Sequence, residues 1–86
     1  MHRLKSFIPR FELLATGVTS SEVREVRDKT FAVGDRVILM EGIQELDGFK
    51  CTGRVIIARI SLVDTLGING GSVLLSYKDI RIYTKD

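Results

Sequence analysis

The chain is nearly without cysteine and histidine, and each shortage excludes something. A single cysteine, Cys51, cannot close a disulfide within the chain, so the fold stands without that staple, as expected of a reducing compartment. One cysteine and one histidine, His2, are too few for a zinc site of the usual kind, and no metal or other cofactor is expected. No apolar run approaches the roughly 18 residues that a membrane span needs. The opening residues also lack the apolar run of a signal peptide, so a cytoplasmic location with no membrane partner is expected. A clear excess of one charge is missing too. Thirteen basic residues stand against 11 acidic ones, a net charge of +2, which is less than a dedicated duplex-DNA binder shows. Apart from Arg3, Lys5 and Arg10 near the start, the basic residues are scattered. A basic patch therefore has to be assembled by folding.

What is present suits one globular domain over residues 1–86, with 44% apolar and 28% charged residues. A domain of this size buries only about 60–65% of the surface its unfolded chain exposes, which leaves little room for a deep enclosed cavity.

Leu4–Ile8 reads as an opening strand. Pro9 suits the first position of a helix, where its missing N–H costs nothing. Phe11, Leu14 and Ala15 recur at helical spacing over Pro9–Thr16, and Gly17 is placed to end the helix in a left-handed conformation. Val18–Ser21 is small and hydroxyl-rich, and Glu22–Arg27 reads as a strand with an imperfect period. Asp28-Lys29 is turn-like, and Phe31–Asp35 leads into a strand at Arg36–Glu41. Asp47-Gly48 marks a hairpin into a long strand, Phe49–Val63, with Arg54, Ile56, Ala58, Ile60 and Leu62 on one face. Asn69-Gly70-Gly71 is a further turn, Ser72–Tyr77 a buried strand, and Ile80–Tyr83 a last short one. Several short strands and one short helix point to a small barrel. The predicted core is Leu4, Phe11, Leu14, Phe31, Val37, Leu39, Ile56, Ile60, Val73 and Leu75.

In order, these pieces resemble the ASCH family of the PUA-like superfamily, and most closely its small phage and bacterial members. The residues that carry the likeness are His2-Arg3-Leu4-Lys5, the helix ending at Gly17, Glu22-Val23-Arg24 with Arg27, and Phe31-Ala32-Val33-Gly34-Asp35. Cys51-Thr52-Gly53-Arg54 and Val73-Leu74-Leu75-Ser76 complete the set, which runs from about His2 to Tyr77. The resemblance implies a mainly-β (α+β) barrel of about five or six strands with one short helix after the first strand. It also implies RNA binding, ribonuclease activity or hydrolysis of acylated cytidine. The family's hallmark after the helix-ending glycine is Gly-x-Lys-Thr-x-x-x-Arg. Here the Lys position is Thr19, the Thr position Ser20, the next functional position Glu22 and the Arg position Arg24. The proposed catalytic lysine is thus replaced, and the insert that carries a later catalytic glutamate has no counterpart between Val63 and Ser72.

The candidate ligand-binding residues are therefore Lys5, Thr19, Ser20, Glu22 and Arg24, with no catalytic residue assigned. Two residues apart on a strand, Glu22 and Arg24 share a face. The carboxylate can accept from an exocyclic amine while the guanidinium donates in a fixed fork; the plainer alternative is an exposed ion pair. Thr19, Ser20 and Ser21 suit a phosphate or ribose oxygen, or simple turn-forming hydrogen bonds. Lys5, on the opening strand, is expected to border the same concave site, into which Ser20, Glu22 and Arg24 should point. Tyr77 and Tyr83 are the candidates for stacking on a base at a rim. Phe31 and Phe49 are read as core, Arg54 as covering a barrel edge with its stem, and Cys51 as a buried or half-buried structural thiol. Three functions stay open: a module that binds single-stranded RNA or a nucleoside or nucleotide, an ASCH-type nucleoside amidohydrolase or ribonuclease, and a phage-type protein that binds a host protein.

Overall fold

A computed structural model describes residues 1–26, 29–65 and 71–84. The elements run β1 (His2–Phe7), α1 (Ile8–Ala15), β2 (Ser21–Glu25), β3 (Arg36–Glu45), β4 (Gly48–Asp64) and β5 (Ser72–Thr84). The five strands form one sheet in the order β1-β3-β4-β5-β2, with β1 parallel to β3 and every other pairing antiparallel. The edge strands are β1 and β2. Both line a single cleft, so the sheet is curled until its edges face each other, as a half-barrel left open along one seam.

The helix occupies the concave side, touching β1, β3 and β5. It carries Pro9 in its first turn, where the absent N–H removes no helical bond. Phe11 and Leu14, three apart, bury one stripe completely. Gly17 follows with φ +78°, and the Thr16 N–H bonds Glu12 O at 3.0 Å to close the last turn. Inward-facing Leu4, Val37, Leu39, Ile56, Ala58, Ile60, Val73, Leu75 and Tyr77 complete the core.

Several sequence expectations need correction. Ile80–Tyr83 is no separate strand: β5 runs on through Asp79, which takes φ +54° and absorbs the irregularity, so the described residues form five strands. Leu62 is exposed, because the β4–β5 register shifts between Ile60 and Leu62 and reverses the alternation. Phe31 is only half-buried, its ring against that of His2 at 4.7 Å. Phe49 is likewise half-buried, edge-on to Phe7 at 5.9 Å. Cys51 is exposed, paired with Gly42 on the outward side of a bulge. Arg27, Asp28 and the Asn69-Gly70 turn lie outside the described residues.

The bulge has a visible construction. Gly53, at φ +101°, lets Thr52 and Arg54 both turn toward Glu41 on β3. Thr52 Oγ1 donates to Glu41 Oε1 at 2.6 Å, and Arg54 Nε lies 3.9 Å from the same oxygen. The Arg54 guanidinium also covers the Phe11 ring at 5.1 Å and bonds Glu12 Oε2 at 3.3 Å, tying the helix to β4. The expected covering of a barrel edge by the Arg54 stem is not what is seen: β4 is the central strand, and it is the guanidinium that packs on the helix. No described helix is long and apolar enough to cross a membrane.

Candidate functional site

The seam between β1 and β2 is a cleft of about 640 Å³. Side chains from both faces of each strand line it, because it runs along the strands' outer edges. Lys5 comes from β1, Glu22 and Arg24 from β2, Arg10 from the first turn of α1, and Lys29 from beyond β2. The parallel register of β1 on β3 and the antiparallel register of β2 on β5 fix the two walls.

Glu22 is 4% exposed, and its buried carboxylate has two partners on Oε2. Arg24 Nε donates at 2.9 Å and the Tyr77 hydroxyl at 2.5 Å. The expected sharing of a face by Glu22 and Arg24 holds, but the pair is not an exposed one. A carboxylate removed from water needs such donors. Tyr77 stands at 4% exposure in the core, not at a rim as a stacking platform. Its phenol is pushed well above the usual tyrosine range, first by burial and then by the charge and hydrogen bond of Glu22. The Val73, Leu75, Tyr77 alternation was the sequence signal for its inward direction.

The structure brings Lys5, Glu22 and Arg24 together but not the hydroxyls. Thr19 and Ser20 are not among the residues that line the cleft. Thr19 Oγ1 accepts from the Ser21 N–H and lies within donating distance of Ser21 O, both at 3.2 Å, so the hydroxyl is held in a local turn. The Ser20 side chain is exposed, and its carbonyl accepts from the Tyr77 N–H at 2.8 Å, extending the β2–β5 ladder. The Ser21 hydroxyl is paired with that of Ser76 at 2.8 Å. Sequence reasoning missed Ser6 as a cleft residue, for it sits where β1 alternation calls for an apolar side chain.

Charge is concentrated here. Five basic residues (Arg3, Lys5, Arg10, Arg24, Lys29) line the cleft against two acidic ones (Glu22, Glu25), a surplus of three that exceeds the +2 of the whole chain. Lys5 Nζ also stands 5.4 Å from the Phe49 ring centroid, which steadies its long stem at the cleft border. No group of three or more His, Cys, Asp or Glu among the described residues is placed to hold a metal ion. On the convex side, a second hollow of about 440 Å³ is lined by Met40, Val55 and Tyr83, with Cys51 and Arg54 beside them.

Residues 1–77 match the family model described as a domain of unknown function, DUF3850. No curated protein matches the chain.

Proposed function

The chain belongs to the DUF3850 family, and we propose that it is a small binding domain of the PUA-like, ASCH type whose β1–β2 cleft takes single-stranded RNA or a nucleotide. The observation that carries this reading is the gathering of five basic side chains on one seam of a nearly neutral protein. Arg3, Lys5 and Arg10 lie close together near the start, and Arg24 and Lys29 join them only when the sheet curls. A concave cationic groove attracts a phosphate-bearing ligand and concentrates it locally. The Arg24 guanidinium, oriented by Glu22, supplies a fixed donor edge for a base.

A hydrolase reading has less support. The residue at the family's lysine position is Thr19, whose hydroxyl is held by Ser21 outside the cleft. General acid–base chemistry needs a proton-transferring group within reach of the reacting atoms. Glu22, the one candidate left by the motif, is already bound by Arg24 and Tyr77.

The test is equilibrium binding of a fluorescent single-stranded RNA across a salt series. Affinity should fall as salt rises, and duplex DNA of equal length should bind more weakly. Salt-independent binding, or none at any RNA composition, overturns the proposal.

A further inference from the structure

Three polar or charged residues are buried among the described ones: Ser6, Glu22 and Glu41. Two are satisfied inside the fold, Glu22 by Arg24 and Tyr77, and Glu41 by Thr52 and Arg54. Ser6 is not. At 2% exposure, its Oγ is the one buried side-chain polar atom among the described residues without a hydrogen-bond partner. A hydroxyl withheld from water and given nothing in return opposes folding, and alanine would serve the same position on β1 at no such cost. Ser6 nonetheless lines the same cleft as Lys5, Glu22 and Arg24.

The geometry points to Ser6 as a specificity-determining contact, whose hydroxyl meets a hydrogen-bonding group at the deep end of the ligand. The inference rests on the reading of the cleft as a nucleotide site, and it deepens that reading by dividing the ligand in two. Exposed Arg3, Lys5 and Arg10 hold the anionic part at the rim. Buried Ser6, able both to donate and to accept, and the Glu22–Arg24 pair face a neutral polar heterocycle below. The ligand class is a nucleoside 5′-monophosphate, or one nucleotide unit of a single strand, and not a bare polyphosphate.

The experiment compares wild-type protein with Ser6→Ala and Ser6→Cys. The dissociation constants of the four ribonucleoside 5′-monophosphates and of inorganic tripolyphosphate are measured by calorimetry, and the ligand-free proteins are melted. Both variants should lose about tenfold in affinity for the preferred monophosphate and leave tripolyphosphate binding unchanged. Ser6→Ala should melt at the wild-type temperature or above it. Wild-type affinity in both variants overturns the role of Ser6 while leaving the cleft reading intact. A lower melting temperature for Ser6→Ala also overturns it, since the hydroxyl then has a partner within the fold. If the wild-type protein binds neither a monophosphate nor single-stranded RNA, the reading of the cleft falls and this inference falls with it.

Discussion

The Tyr77 hydroxyl on β5 donates a 2.5 Å hydrogen bond to Glu22 Oε2 on β2, joining the core to the wall of the cleft. Glu22 in turn holds Arg24 at 2.9 Å. The orientation of the cleft's guanidinium therefore depends on a buried phenol that does not itself line the cleft.

Tyr77→Phe should destabilise the fold by about 1–3 kcal/mol, because it leaves a buried carboxylate with one fewer donor. Urea denaturation measures this. A change near zero would show that the Glu22–Tyr77 bond carries no net stability.

The same bond sets the alkaline limit. Tyr77 has a folded-state pKa raised above its ordinary value of 10.0. Its contribution is fully present below about pH 10 and is lost as pH rises toward the folded value. Stability should therefore decline above pH 10, with tyrosinate absorbance from Tyr77 appearing together with unfolding. Tyr77→Phe should flatten the alkaline decline. An unchanged slope would contradict the assignment.

At the acid end, His2 Nε2 lies 2.9 Å from Asp35 Oδ2, and the Ala32 N–H bonds the same oxygen at 3.1 Å. These contacts, that of His2 foremost, hold the Asp35 carboxyl below its ordinary 3.8. A depressed folded-state pKa gives stability that is present above the unfolded value and lost as pH falls through the folded one. Asp35→Asn should thus lower the melting temperature at neutral pH and shrink the acid dependence below about pH 4. A parallel downward shift at every pH would mean that the His2–Asp35 contact is not its source.

Two glycines should fail for different reasons. Gly34 holds φ +94° with nothing within 4 Å of an added Cβ, so Gly34→Val should cost about 1–3 kcal/mol through backbone strain alone. A Cβ on Gly42 would stand 2.5 Å from Lys50 O and from the Phe49 ring. Gly42→Ala should cost at least as much by steric conflict, because the carbonyl moves only with its strand. Equal tolerance of both in a melting assay would contradict these local geometries.

Lys5 and Arg24 should separate binding from folding. Lys5 is exposed, so Lys5→Ala should leave stability within about 0.5 kcal/mol and lower the salt slope of RNA binding by about one. Arg24→Ala should weaken binding and also destabilise by about 1–3 kcal/mol, since Glu22 is left with Tyr77 alone. Normal salt dependence in Lys5→Ala would remove Lys5 from the site.

Much of the fold was legible because period-two alternation survives wherever the ladder is regular. Leu39, Ile56, Ile60 and Leu75 were read correctly as core, and Gly17 as the left-handed glycine that ends the helix. Legibility failed at bulges. The shift after Ile60 exposed Leu62, the Gly53 bulge exposed Cys51, and Asp79 joined two expected strands into one. Three of the five candidate residues line the cleft: strand spacing set Glu22 beside Arg24, and the family resemblance raised Lys5 as a border. The hydroxyl loop misled because Thr19 satisfies its own turn. The cationic cluster was hidden, for it requires β1 and β2, at opposite ends of the strand order, to meet across a curl that no local pattern encodes.

The most direct test of the account is a backbone amide NMR titration of the isotope-labelled protein with single-stranded RNA and with its preferred nucleoside monophosphate. The expected shift changes fall on Lys5, Ser6, Arg10, Glu22 and Arg24 along the β1–β2 seam, and shrink as salt is raised. Changes confined to Met40, Cys51, Val55 and Tyr83 on the convex hollow, or no changes at millimolar ligand, would contradict it.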